Sequence, residues 1–336
     1  MLKYIARRLV FMAFLLIGVS VIVFIITHMV PANPAVAYLG TAGASDPEVV
    51  AAFNARWGLD QPLYKQYLLY LGGLLRGDMG TSLRTGHPVL DDLMQYFPAT
   101  IELSVFAILL AGLFGILFGV VSAMRPDTLT DQLLRGVSVT GVSLPSFWLS
   151  LVMLYLFYYQ LKWLPGPGRV SARLDFTPGP TQLYLIDALI QGNFTAFKDA
   201  LSHLVLPGLV LSAFSMGLIA RTTRSSLMDV MSQDYVRTAR SKGLSRPRVV
   251  MRHAFGGAMM PVVTVLGMSC CSLLGGVVLV EKIFQWPGIG QYAYLAATKL
   301  DFPAITGVSL LIASIYVVLN LLIDILYALI NPKVRY

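Results

Sequence analysis

A chain of 336 residues that is 56% hydrophobic and only 12% charged carries about half the charge of a soluble domain, and with a mean hydropathy of +0.71 it reads as a polytopic membrane protein. The net charge of +8 gathers at the ends of apolar runs and accompanies no RNA- or DNA-binding motif, so nucleic acid is set aside as a partner and the basic excess belongs to topology. Cys270 and Cys271 are adjacent inside an apolar run, and His28, His87, His203 and His253 have no metal-ligating spacing, which argues against a structural disulfide and a metal site.

Lys3, Arg7 and Arg8 precede an apolar run from Leu9 to Thr27. The run is longer than a signal-peptide core, and His28-Met29-Val30-Pro31 follows it in place of a small-residue cleavage site, so it reads as a retained first span with a cytoplasmic N-terminus. Residues 31–99 hold six acids against four bases, with turn signals at Pro31-Ala32-Asn33-Pro34 and amphipathic pieces over Pro47–Trp57 and Gln61–Leu75. That length predicts a small folded extracytoplasmic segment instead of a bare loop. The second span, Thr100–Ala123, carries Glu102 at its outer end, where a carboxylate can pair locally or serve function.

After a short cytoplasmic loop from Arg125 to Arg135, the third span, Gly136–Gln160, contains Gly141-Val142-Ser143-Leu144-Pro145-Ser146-Phe147-Trp148. Pro145 removes a backbone hydrogen bond and predicts a kinked helix whose freed carbonyl needs protein neighbours or a water-lined cavity. Ser143, Pro145, Ser146 and Trp148 are therefore candidate pathway-lining residues, with a packing kink as the alternative. A second external stretch, Leu161–His203, includes a proline- and glycine-rich turn at Leu164–Gly168 and a helix at Leu183–Ile190. The fourth span is Leu204–Ala220, with Pro207 inside it. The fifth, Pro261–Val280, has the Gly, Ser and Cys content of a tightly packed interface, and the sixth, Ala304–Ile330, has Asp324 near its inner end.

Between the fourth and fifth spans, Arg221–Pro261 holds eight of the 25 basic residues, Arg221, Arg224, Arg237, Arg240, Lys242, Arg246, Arg248 and Arg252, against Asp229 and Asp234. A loop this basic is expected in the cytoplasm, and six spans then place both basic termini there too. Asp234–Lys242 reads as a short surface helix stopped by Gly243, and a second helix begins near Arg246 and enters the membrane near Pro261.

The core Asp234-Tyr235-x-Arg237-Thr238-Ala239-Arg240-x-Lys242-Gly243-Leu244, with Arg252-His253-Ala254 and Ala258-Met259-Met260-Pro261 after it, resembles the EAA-type cytoplasmic loop of bacterial ABC importer permeases of the dipeptide, oligopeptide and nickel branch. It departs from that branch at Gly256-Gly257. Residues 58–71 and 76–89, and Trp286-Pro287-Gly288-x-Gly290, resemble other parts of the same branch. The Arg76-Gly77-Asp78 tripeptide is then read as a turn of the family and not as an adhesion motif.

The resemblance implies an all-α permease fold with six transmembrane helices. Its parts are residues 1–30, an extracytoplasmic segment at 31–99, and a core at 100–336 whose coupling loop is 221–260. It further implies that the residues of the quoted core dock on a cytoplasmic ATPase, with Ala239 as the small residue at the contact and Gly243 as the turn behind it. By the same resemblance, Trp286, Pro287, Gly288 and Gly290 face a periplasmic or lipid-anchored solute-binding protein, and the partners are a second homologous permease and two ATPases that hold ATP and Mg.

The chain itself has no GxxxxGK[ST] phosphate loop, serine or cysteine triad pattern, zinc signature or paired carboxylates at convincing spacing, so it reads as a non-enzyme without a cofactor. A secondary transporter or channel is the alternative. It calls for internal repeats and mid-membrane carboxylates, whereas Glu102 and Asp324 lie near span ends. The branch handles dipeptides, longer peptides, glutathione, opines and nickel complexes, and the sequence does not choose among them.

Overall fold

A computed structural model describes residues 2–29, 45–57 and 60–330. Its helices, in chain order, are α1 (Leu2–Met29), α2 (Pro47–Trp57), α3 (Leu63–Leu74), α4 (Val89–Met124), α5 (Leu129–Ser143), α6 (Ser146–Met153), α7 (Tyr184–Ile190), α8 (Phe194–Met231), α9 (Asp234–Ser241), α10 (Arg246–Val249), α11 (Phe255–Ile283), α12 (Ile289–Thr298) and α13 (Phe302–Ile330). Wider π-helical turns extend α6 over Leu154–Gln160 and join α10 to α11 over Val250–Ala254. Among the described residues there is no strand, only an isolated bridge between Thr81 and Pro88.

Local chemistry explains the helix starts. Thr128 accepts a hydrogen bond from the Asp131 amide at the head of α5, and Asn193 accepts one from the Ala196 amide at the head of α8, each satisfying an amide that has no partner within the helix.

Four helical stretches are long and apolar enough to cross a membrane, Val89–Met124, Phe194–Met231, Arg246–Leu273 and Phe302–Ile323, and the bent pair Leu129–Ser143 with Ser146–Gln160 makes a fifth if it is one span. Val10–Ile26, the apolar stretch described within α1, is shorter. The chain is thus all-α and polytopic.

The third span departs from expectation. A kinked helix over Gly136–Gln160 is predicted, but the chain breaks between α5 and α6 with a turn of 113°. Leu144 is extended, with φ −83° and ψ 132°, the backbone that a following proline imposes, and Pro145 then caps α6, where its missing N–H costs nothing. Helix α8 contains the expected fourth span and reaches beyond it at both ends. α8 starts at Phe194 because Asn193 caps it there, and it continues through the first part of the basic stretch to Met231.

The described residues form two compact units, one drawing on Met1–Phe97 and Gln291–Leu321, the other on Pro98–Gly290 and Leu322–Lys333. In the first unit, Asp301 is fully buried and accepts from Ser82 Oγ at 2.6 Å and the Arg84 amide at 3.2 Å. Asp92 accepts from Thr85 Oγ1 at 2.6 Å and the Tyr292 hydroxyl at 2.9 Å. Burial pushes the Tyr292 phenol up from its ordinary value, which keeps it a donor. The Arg76–Asp78 tripeptide is a turn, with the Asp78 amide on the Gly73 carbonyl at 2.9 Å and Asp78 Oδ1 on the Gly80 amide at 2.9 Å.

In the second unit α8 is central: 72% of its apolar window is buried, against 28% for each of the other three long spans. Ala99, Leu103 and Ala107 of α4 meet Leu204, Leu206 and Val210 of α8 and Leu273, Val277 and Val280 of α11 in its largest apolar cluster. Gly115 and Gly119, one turn apart on α4, let that helix approach α8 closely. A Cβ at Gly115 would stand 2.8 Å from Ile219 Cβ, and one at Gly119 would stand 2.7 Å from the Ala220 carbonyl. This is the small-xxx-small device by which membrane helices pack in the absence of a hydrophobic drive between them.

Candidate functional site

The basic stretch folds as a hairpin on the end of α8. Val236 and Ala239 of α9, three residues apart and so on one face, are 0% and 6% exposed. They pack in a cluster with Leu227, Val230, Val249, Val250 and Ala254, and Leu244 packs at its edge. Asp234, Tyr235, Arg237, Thr238, Arg240 and Lys242 are exposed. Arg237 lies 3.3 Å from Asp234, and Thr238 Oγ1 donates to the Asp234 carbonyl at 3.0 Å.

Two expectations about this stretch are answered differently. Gly243 has φ +77° with open space around it and its amide on the Arg240 carbonyl at 2.9 Å, the left-handed turn that suits glycine after a helix. Ala239 points inward, so its small side chain seats α9 on this chain's own core, and the face of α9 left exposed is the polar one. Gly257, where the sequence departs from the branch, leaves room for Tyr235: a Cβ there would be 2.8 Å from the tyrosine hydroxyl.

Behind the hairpin, Asp131 at the head of α5 binds Arg224 of α8 through both oxygens, Nε to Oδ1 at 2.9 Å and Nη2 to Oδ2 at 2.8 Å. Ser122 Oγ of α4 also donates to Asp131, as does the Asp127 amide at 3.0 Å. One fully buried carboxylate therefore joins α4, α5 and α8 through the forked geometry that makes arginine the usual partner of carboxylates. Above it lies a cavity of 440 Å³, lined by Arg135, Ser138 and Ser143 of α5 and Gly217, Arg221 and Ser225 of α8, among others. Gly217 is needed there, since a Cβ would run into the Ser138 carbonyl. Of the candidate pathway residues, Ser143 lines this cavity, while Pro145, Ser146 and Trp148 lie beyond it at the break, Trp148 46% exposed.

At the opposite end of α8, Glu102 and Arg169 form an ion pair at 2.5 Å with side chains 5% and 7% exposed. Glu102 Oε1 also accepts the Leu185 amide at 2.8 Å, and Arg169 donates to the Gln182 carbonyl at 3.1 Å and lies 3.6 Å from the Tyr184 ring centroid. The pair fastens the external stretch onto α4, so Glu102 has a local partner. No local pattern in the sequence marks Arg169, which stands in a loop 67 residues from its partner.

The Trp286-Pro287-Gly288 loop belongs to the same arrangement. Trp286 Nε1 donates to the Ala99 carbonyl at 2.8 Å, Thr100 Oγ1 donates to the buried Glu281 at 2.7 Å, and the Ile289 amide donates to Thr100 Oγ1 at 2.8 Å. Gly288 lies against the Glu281 carboxylate, where no Cβ fits. Trp286, Gly288 and Gly290 are buried and Pro287 partly so, leaving Gln285 as the exposed residue between Glu281 and Gly290. Of the four residues expected to face a binding protein, Trp286 turns inward and holds the loop to α4. The side chain of Asp324 lies outside the described residues. Among the described residues no His, Cys, Asp or Glu cluster could hold a metal ion.

The family described as binding-protein-dependent transport system inner membrane component matches residues 115–336, and its N-terminal companion family matches residues 1–104. The chain is 41% identical, over the whole of both chains, to the dipeptide transport system permease protein of Alkalihalophilus pseudofirmus. It is 42% identical to the di/tripeptide transport system permease protein of Pseudomonas aeruginosa, over 100% of this chain and 99% of that one. It is 44% identical to a probable D,D-dipeptide transport system permease protein of Escherichia coli, over 94% of this chain and 93% of that one. With its apolar helices and the hairpin at the foot of α8, the chain belongs to the inner membrane components of binding-protein-dependent transport systems and is a multi-pass permease subunit of an ABC importer.

Proposed function

We propose that this permease imports dipeptides or short peptides as one half of a translocation pathway whose other half is a second, homologous permease. The observation that carries the reading is the identity of 41–44% to permeases named for dipeptides, D,D-dipeptides and di/tripeptides, over nearly the full length of each. Two cytoplasmic ATPases supply ATP and Mg, and a periplasmic or lipid-anchored binding protein delivers the solute. Both termini and the hairpin at 221–260 lie in the cytoplasm, and residues 31–99 and the Trp286 loop, with Gln285 at its tip, lie outside.

In this reading the polar face of α9 enters a groove on one ATPase, and its apolar face carries motion into α8 and α11 through Val236 and Ala239. Ser143 lines the pathway, with Pro145, Ser146 and Trp148 shaping the break above it.

The test is uptake of radiolabelled alanyl-alanine by the full complex in proteoliposomes with ATP enclosed. Gly243→Pro replaces φ +77° with the fixed φ of proline, near −65°, in an exposed turn. The variant is expected to insert and pair with its fellow permease but to lose solute-stimulated ATP hydrolysis. Neutralising Arg246 and Arg248 is expected to leave that activity in place. Uptake without ATP, or wild-type coupling in Gly243→Pro, overturns the reading.

A further inference from the structure

The cavity between α4, α5 and α8 carries more positive charge than its surroundings answer. Arg135, Arg221 and Arg224 all reach it. Asp131 is the carboxylate beneath them, and it is taken up by Arg224 at 2.8 Å, with Arg135 farther off at 3.6 Å. Arg221 is exposed and, among the described residues, has no carboxylate partner.

The hydroxyls that line the cavity divide in the same way. Ser122 donates to Asp131 and Ser138 to the Leu134 carbonyl, while Ser143 and Ser225 carry no intramolecular hydrogen bond among the described residues. Ser225 stands one turn from Arg221 on α8, on the same face. The Arg221 guanidinium and the Ser225 hydroxyl thus stand together as free donors on α8, with Arg135 of α5 across from them, in a cavity of 440 Å³, within the range of about 300–1,000 Å³ typical of small-molecule sites.

We propose that this cavity is an oxyanion site at the coupling-loop end of α8. Arg221 makes the forked contact to the anion, Ser225 one turn away is its hydroxyl donor, and Arg135 adds charge from α5. The identity of the anion rests on the import reading: it is the carboxylate of a peptide leaving the pathway. A phospholipid headgroup presents the same chemistry and is the alternative source that the experiment separates.

The experiment uses the full complex in nanodiscs, with Cys270 and Cys271 replaced by serine and with Ser225→Cys as a reporter. Its rate of reaction with an anionic sulfonate thiol reagent is compared with that for a cationic ammonium reagent. The anionic reagent is expected to react faster, and Arg221→Gln is expected to cut the ratio about tenfold, the low end of the enrichment that charged clefts give. Arg221→Lys should restore much of the ratio, which a fold defect would not allow.

Millimolar alanyl-alanine is expected to slow labelling, and its C-terminal amide is not. Absence of an anionic preference, or a preference that survives Arg221→Gln, overturns the site whatever the complex transports. Slowing by phosphatidylglycerol in the disc, with none by the dipeptide, assigns the anion to lipid and overturns the solute source. If the complex transports no dipeptide while the Arg221-dependent preference persists, the import reading fails and the oxyanion site stands.

Discussion

Replacing Glu102 with alanine strands Arg169 in a site where its side chain is only 7% exposed. Breaking a buried ion pair by removing one partner costs about 3–5 kcal/mol, because the remaining charge has left water without compensation. The Leu185 amide loses its acceptor as well. Against a total stability of about 5–15 kcal/mol, this loss should release the external stretch while leaving the core of α4, α8 and α11 assembled. Removing both charges should reverse most of it, since apolar side chains of similar volume often replace a buried pair at little cost; the double variant Glu102→Leu with Arg169→Met is therefore expected to be far closer to wild type than Glu102→Ala. The assay is unfolding in mixed micelles, paired with tryptic cleavage after Arg169, a bond the folded protein protects and the single variant should expose. A Glu102→Ala cost below about 1 kcal/mol, the range of exposed ion pairs, or a double variant as unstable as the single, would refute the account of Glu102 as a structural lock.

Gly119→Leu should separate α4 from α8, because a Cβ already meets the Ala220 carbonyl at 2.7 Å. The expected outcome is loss of assembled complex on gel filtration, whereas leucine at Gly136, which has open space around it, should be tolerated. Trp286→Phe keeps most of the buried bulk but deletes the donor to the Ala99 carbonyl; a cost of about 1–3 kcal/mol should appear in the same micelle unfolding, and no measurable change would remove the clamp assigned to this loop.

Features written in local chemistry were legible in the sequence. Asp234 to Gly243 and the restart at Arg246 follow from helix formers, a glycine and a proline in close succession, and α9 and α10 begin where those signals put them. The helix at Leu183–Ile190 was visible in the same way. Features that depend on partners distant in sequence were not legible. Nothing near Arg169 points to Glu102, and nothing near Arg224 points to Asp131, which stands 93 positions away. The inward turn of Ala239 is not legible for a related reason: over an eight-residue helix only Val236 and Ala239 mark the apolar face, too few to separate a seat on the chain's own core from a contact with a partner. The extension of α8 to Phe194, ahead of the apolar run that begins at Leu204, is marked in the sequence only by the Asn193 cap. His203 is buried, with its Nδ1 2.8 Å from the Asp199 carbonyl, so the helix satisfies that residue internally.

The π-helical turn at Val250–Ala254 has a consequence for how this lineage can change. Such a turn holds one residue more than the ordinary helix around it, and each residue of an α-helix rotates the chain by about 100°. Deleting a single residue there would restore regular winding and swing the hairpin about the axis of α11, presenting a different side of α9 without altering any side chain on it. The azimuth at which this subunit offers its hairpin is thus stored in chain length, as an indexing notch stores the angle of a dial.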